Sequence, residues 1–139
     1  MIVPHDLDTL TLTFPTFSDE RGLLSVAEGA GGVSFTPKGL PFIPQRVFWL
    51  YNIPTEKERG GHAHRSCWEA LVALQGSVEV TLRSATAERT FLLNSPTKGI
   101  LIPPAIWCDL KHFSSDCICL CMASEPYDAT GYITEFKTE

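Results

Sequence analysis

Arg59-Gly60-Gly61-His62-Ala63-His64, followed by Glu69-Ala70-Leu71-Val72-Ala73-Leu74-Gln75 and, across Gly76, by Ser77-Val78-Glu79-Val80-Thr81-Leu82-Arg83, is the stretch on which the reading of this chain turns. The two runs flanking Gly76 are apolar and β-branched over strand lengths, and a glycine between them marks a hairpin or a sharp corner. His62 and His64 are two residues apart, so on a strand both imidazoles point to one face and converge on a small volume. Imidazole titrates near neutrality, which suits it to moving protons and, as the neutral base, to binding a transition metal. Either use needs two rings at a fixed separation. Gly60 and Gly61 leave room for close approach by backbone or ligand.

Outward from this stretch the same strand signals repeat. Leu10-Thr11-Leu12-Thr13-Phe14 alternates with period two and is closed by Pro15. Ser18 to Gly22 is a turn leading into the short strand Leu23 to Glu28, and Gly29 to Gly39 reads as a glycine-rich loop. Arg46-Val47-Phe48-Trp49-Leu50-Tyr51-Asn52-Ile53 has the aromatic and β-branched content of a strand and ends at Pro54. Further strands are expected at Arg89 to Leu93, Gly99 to Ile102, Cys117 to Ala123 and Tyr132 to Phe136. No window holds a helical period, and there is no internal repeat. Short strands with turns about every ten residues specify an all-β sandwich or barrel. A double-sheet jelly roll would enclose a ligand on the His face. Leu7 to Phe14 and the Phe48-Trp49 strand are the candidate edge or intersubunit elements.

The chain has 139 residues, enough for one core and too few for two, so residues 1–139 are read as a single domain. A composition of 44% hydrophobic residues with 10 Gly and 10 Pro excludes a disordered chain. The net charge of −5 excludes general affinity for nucleic acid or anionic membrane, so an anionic ligand requires a local cationic patch. The start Met1-Ile2-Val3-Pro4-His5-Asp6 lacks a signal-peptide pattern and no run approaches a membrane span, so a cytoplasmic protein is expected. The five cysteines, Cys67, Cys108, Cys117, Cys119 and Cys121, contain no C-x-x-C pair, which argues against disulfides or a zinc knuckle. Cys117, Cys119 and Cys121 alternate along one strand face as small buried hydrophobes.

The spacing from His62-x-His64 over four residues to Glu69 and over six to Gly76 resembles the first signature of the cupin β-barrels. Metal-binding cupins add a third His from a later strand, where this chain has Cys108 after Pro103-Pro104-Ala105-Ile106-Trp107. A His62, His64, Glu69, Cys108 set has donors for Zn²⁺ or Fe²⁺. From about Arg21 to Phe136 the chain resembles the cupin-type sugar-nucleotide 3,4-ketoisomerases (FdtA/WxcM-like), which act on dTDP-4-keto-6-deoxyglucose. The resemblance rests on Asp19-Glu20-Arg21-Gly22, Pro41-Phe42, Arg46-Val47, Arg59 to His64, Gly76-Ser77, Pro103 to Trp107, Phe113-Ser114-Ser115-Asp116, Ala123-Ser124, Tyr127-Asp128 and Tyr132-Ile133.

That resemblance implies an isomerase that moves the keto group of a nucleotide-linked 4-keto-6-deoxy sugar from C4 to C3 through an enediolate, in making deoxy or amino sugars for surface glycans. The chemistry needs no metal or redox cofactor. It needs a base near neutrality, a donor to the developing oxyanion and a site closed to water. His64 is assigned as principal base, His62 as its shuttle or orienting partner, and Arg21 as support for the oxyanion or phosphates. Arg59 and Arg46 are candidates for the diphosphate, since Arg offers paired donors to phosphate oxygens. Trp107, Glu69 and Tyr51 complete the substrate-binding set, and a homodimer is expected. The family usually has Tyr where this chain has Phe48-Trp49, Gln at Glu69, and His-Glu at Cys108-Asp109. Two other readings follow from these departures: a metal-dependent cupin enzyme, and a sugar-nucleotide-binding module without catalysis.

Overall fold

A computed structural model describes residues 6–29 and 39–136. The chain runs through β1 (Thr11–Thr13), β2 (Thr16–Asp19), β3 (Gly22–Ser25), β4 (Arg46–Tyr51), β5 (Arg59–His64), β6 (Glu69–Gln75), β7 (Val78–Arg83), β8 (Glu88–Leu93), β9 (Lys98–Ile102), β10 (Trp107–Lys111), β11 (Ile118–Ala123) and β12 (Tyr132–Ile133), with 3-10 turns at Leu7–Thr9 and Ala129–Gly131. One sheet has the order β1-β9-β6-β11-β4, the other β12-β5-β10-β7-β8, and β2 and β3 pair only with each other. This is the expected all-β jelly roll, formed by two five-stranded sheets rather than one hydrogen-bonded ring. The N-terminal stretch at residues 1–5 and the glycine-rich loop at 30–38 lie outside the described residues. Among those described, no helix is long and apolar enough to cross a membrane.

The core lies between the sheets. Leu71 and Ala73 of β6, Ile100 and Ile102 of β9, and Cys119 and Cys121 of β11 meet Val78, Val80 and Leu82 of β7 and Cys108 and Leu110 of β10. Val78, Val80 and Leu82 are fully buried, each worth about 1.5–3 kcal/mol of transfer free energy. A second cluster, with Leu12, Phe14, Leu40, Phe42, Ala70, Val72, Leu101 and Met122, covers the outer face of the first sheet. This explains why Glu69 to Ala73 is buried without alternation: β6 is covered on both faces. All five thiols are free and buried, and Cys117, Cys119 and Cys121 pack as small core residues.

Gly76 is a corner rather than a hairpin, because β6 and β7 belong to opposite sheets. Its φ is +68°, and a side chain there would meet the Ser114 hydroxyl, Asp116 Oδ1 at 2.6 Å and Cys117 Cα at 2.8 Å. The corner is clamped by paired bonds, Ser77 N to Ser114 Oγ at 2.8 Å and Ser114 N to Ser77 O at 2.9 Å. Two strands lie outside the sequence expectation. β2 is exposed at every position, Phe17 included, and so shows no buried face. β10 follows the Pro103-Pro104 turn, with only Cys108 and Leu110 of its five residues buried.

Candidate functional site

Gly60 and Gly61 open β5 with φ of +79° and +74°, a conformation that costs other L-residues about 1–2 kcal/mol. At Gly60 the facing strand comes so close that a Cβ would lie 2.7 Å from the carbonyl oxygen of Cys108. There the β10–β5 register shifts between Cys108 and Asp109, with Cys108 opposite His62. The strand then carries His62, half-buried, and His64, 6% exposed, with ring centroids 4.9 Å apart at 87°. Glu69, also 6% exposed, reaches across from β6, its Oε1 3.2 Å from His64 Nε2. The approach lacks hydrogen-bond alignment, and the buried Nε2 has no hydrogen-bond partner among the described residues.

β12 closes the other side. It pairs with β5 so that Tyr132 lies opposite His64, with its ring 4.8 Å from that of His62 and 4.7 Å from that of His64. The cavity so enclosed is about 670 Å³, within the range of small-molecule sites. His62, Glu69, Cys108, Tyr132, Arg46 and Arg59 contribute to its wall. The Arg46 guanidinium lies 4.3 Å over the Phe48 ring and 5.3 Å from that of Tyr127, so its charge is held at the cavity by aromatic faces.

Burial, and then the neighbouring His64, hold the His62 imidazole below its ordinary pKa, against smaller opposing effects of Glu69, the Gly60 backbone and Asp109. His62 is therefore neutral at neutral pH and available as base or ligand. Burial pushes the Cys108 thiol well up, reinforced by Glu69 and Asp109, so it stays protonated and uncharged. His62, His64 and Glu69 each offer a ligand atom, all within 4.8 Å of one another. Metal–ligand bonds of about 2.0–2.2 Å require modest side-chain closure from that spacing. Cys108 is not among this trio.

The structure brings His62, Glu69, Arg46 and Arg59 to the cavity wall, while His64 packs against His62, Glu69 and Tyr132 and borders a separate small pocket. It does not bring Arg21, Tyr51 or Trp107 to the cavity. Arg21 sits at the exposed tip of the β2–β3 hairpin, paired with Asp19. Tyr51 shares the outward face of β4 with Trp49, opposite to Phe48 and Leu50, which line the cavity, and it borders a separate groove with Leu74 and Leu120. Trp107 packs against Phe136 at 5.8 Å and donates from Nε1 to Asp109 Oδ2 at 3.2 Å. The sequence reading assigned no site role to Tyr132 or Tyr127. Their local signals are the pairs Tyr127-Asp128 and Tyr132-Ile133, which carry part of the family resemblance without a role assigned to either tyrosine.

Comparison with known proteins identifies the family of the chain. The model of the family FdtA, WxcM-like, C-terminal, matches residues 8–138. The TDP-4-oxo-6-deoxy-alpha-D-glucose-3,4-oxoisomerase of Aneurinibacillus thermoaerophilus is 33% identical over 130 residues, 94% of this chain and 88% of that protein. Among solved structures, a 3,4-ketoisomerase from Helicobacter canadensis superposes with a TM-score of 0.81 at 28% identity, covering 90% of this chain and 89% of the other. The sugar 3,4-ketoisomerase QdtA from Thermoanaerobacterium thermosaccharolyticum, solved in complex with TDP, superposes with a TM-score of 0.79 at 30% identity, covering 91% and 87%.

Proposed function

The chain belongs to the FdtA, WxcM-like family, and on that premise we propose that it is a 3,4-ketoisomerase of a TDP-linked 4-keto-6-deoxy sugar. The observation that carries this reading is the cluster of His62, His64 and Glu69, of which His62 and Glu69 line a cavity whose wall also holds Arg46 and Arg59. In a 4-keto sugar the carbonyl acidifies the C3 hydrogen. His64 removes it as general base, Glu69 lies beside the imidazolium that results, and His62 orients the reacting oxygens. Arg59 and Arg46 bind the diphosphate through charge-assisted hydrogen bonds. The buried floor of Leu71, Leu110 and Cys121 keeps water from the enediolate.

Arg21 enters this scheme only in a homodimer. On the β2–β3 hairpin Phe17, Leu23 and Leu24 are 63%, 75% and 60% exposed, an apolar cost that a second copy would relieve. A hairpin crossing to the partner would carry Arg21 toward that protomer's site. Five free thiols suit the reducing cytoplasm, where we place the reaction. The deciding experiment offers TDP-4-keto-6-deoxyglucose in deuterated water and follows the sugar by NMR. A 3-keto product with exchange at the reacting carbons is the expected result; binding without exchange would instead mark a non-catalytic binding module.

A second reading rests on the same trio, because two imidazoles and a carboxylate match the donors of transition-metal sites. Stoichiometric Zn, Fe, Mn or Ni in protein purified without added metal would favour it.

A further inference from the structure

We infer that Phe136, seated on Trp107 and Arg83, is a positioning residue: it latches the segment from Tyr127 to Phe136 across the edge of β5 and so holds that segment as a wall of the cavity. Only the turnover arm of its test rests on the isomerase reading above. The segment supplies Tyr127, Ala129, Tyr132 and Thr134 to the cavity. Within it β12 is the outermost strand of its sheet, next to β5, and Tyr132 packs on the rings of both His62 and His64. Without β12, β5 would be the sheet edge and both imidazoles would meet water.

The attachment at β12 is itself short. Tyr132 pairs with His64 and Ile133 with Ala63, against the usual strand length of about 3–10 residues. Ahead of β12 the chain is tied by Arg65, which donates from its backbone N to Gly131 O at 2.8 Å and from Nε to Thr130 O at 3.2 Å. Asp128 caps the same turn, accepting from Thr130 N at 2.9 Å. Past β12, Thr134 and Glu135 are exposed, and the chain regains the barrel at Phe136, which is half-buried.

The Phe136 ring meets that of Trp107 with centroids 5.8 Å apart at 68°, the edge-to-face arrangement that aromatic pairs prefer. The Arg83 guanidinium lies 5.6 Å from the Phe136 centroid, within cation–π range. Trp107 and Arg83 are direct cross-strand partners on β10 and β7, so their side chains share one face of the sheet and form a single seat. That seat is braced. Trp107 Nε1 donates to Asp109 Oδ2 at 3.2 Å, and Arg83 Nε lies 2.9 Å from Glu88 Oε1 and 3.9 Å from Asp109 Oδ2. The segment is therefore fastened to β5 at one end and to the next two strands of the same sheet at the other. Removing one fastening makes local opening easier for the segment alone and leaves the rest of the barrel as it was.

The test compares hydrogen exchange and turnover in wild type, Phe136→Ala and Phe136→Tyr. Phe136 belongs to neither buried cluster, so the alanine variant should fold. In that variant, exchange at the Arg65 amide, which is bonded to Gly131 O, and over β12 is expected to speed up about 10-fold or more, with β7 and β9 as protected as in wild type. Its kcat/KM for TDP-4-keto-6-deoxyglucose is expected to fall about 10-fold or more. Phe136→Tyr keeps the ring on its seat and should stay within about threefold of wild type in both measurements.

Unchanged exchange at Arg65 and β12 in Phe136→Ala overturns the latch. Exchange that speeds up equally over β7 and β9 also overturns it, because Phe136 would then be an ordinary stabilising residue. Local opening with turnover within about threefold of wild type overturns the positioning role. If Phe136→Ala does not fold, Phe136→Leu, which keeps an apolar side chain and removes the ring, is read by the same two measurements. Wild-type protein that binds TDP-4-keto-6-deoxyglucose without turnover overturns the isomerase reading and the positioning role with it, while the exchange arm still decides for or against the latch.

Discussion

Replacing Gly60 and, separately, Gly61 with alanine separates the two demands that the entry to β5 makes on the chain. Both glycines have positive φ, +79° and +74°, so each alanine incurs about 1–2 kcal/mol of backbone strain. They differ in surroundings. A Cβ on Gly61 finds nothing nearer than Asp109 Oδ1 at 3.8 Å, whereas one on Gly60 would lie 2.7 Å from the backbone oxygen of Cys108. Ordinary contact begins near 3.4 Å, so β10 or β5 must yield by roughly 0.7 Å, an overpacking cost of about 1–3 kcal/mol. Gly60→Ala should therefore lose about 2–5 kcal/mol against about 1–2 for Gly61→Ala. With a urea m-value of about 2 kcal/mol/M, their midpoints should differ by roughly 0.5–1.5 M. Because the displaced pair is Cys108 opposite His62, Gly60→Ala should also lower kcat by about 10- to 100-fold in protein that remains folded. Equal midpoints for the two variants would refute the close-approach argument, and a Gly60→Ala enzyme with unchanged kcat would refute its link to the bases.

The remaining expectations follow from charge and exposure. Arg59→Ala removes a cation from the cavity wall and should raise KM about 10- to 100-fold with little change in kcat, checked by steady-state kinetics at fixed ionic strength. The depressed pKa of His62 means that below the ordinary imidazole value of about 6.5 the unfolded chain binds more protons there than the folded one. Stability should therefore fall as the pH drops from 6.5 toward the folded pKa, and His62→Asn should flatten that part of the urea-midpoint profile. Asp19 and Asp128, with pKa values lowered by bonds to Arg21 and Thr130, lose their contribution only in the carboxylate range, so the two windows are separable. Leu23→Asp places a charge on the exposed hairpin and should shift the protein from dimer toward monomer by light scattering; a wild-type monomer would sink the dimer proposal.

Where local pattern and final environment coincide, the fold was legible. Alternation located β1, aromatic and β-branched content located β4, and the apolar runs around Gly76 located β6 and β7. The glycine itself could not say whether β7 folds back on β6 or crosses to the other sheet. That choice is made by Ser77, Ser114 and Asp116, nearly forty residues apart in the chain. The turn at Ser18 to Gly22 and the run from Leu23 marked β3, whereas β2 escaped because its residues are exposed and show no buried face. In β4 the sequence shows that Tyr51 and Trp49 share a face but not which face turns inward. The structure puts Phe48 and Leu50 inward, which removes Tyr51 from the cavity.

The site divides along the same line. His62, His64 and Glu69 were readable because two residues on one strand, and a carboxylate at the start of the next, are close in sequence. Tyr132 was not, because its contact with them depends on β12 adding to the edge of β5, a pairing of two residues held by Arg65 and the Asp128-capped turn. This edge addition bears on the chain's departures from its relatives. With Phe48-Trp49 in β4 and Cys108 in β10, those strands supply neither phenol nor imidazole to the cavity. The two histidines stay on β5, and the Tyr132 ring reaches them from β12.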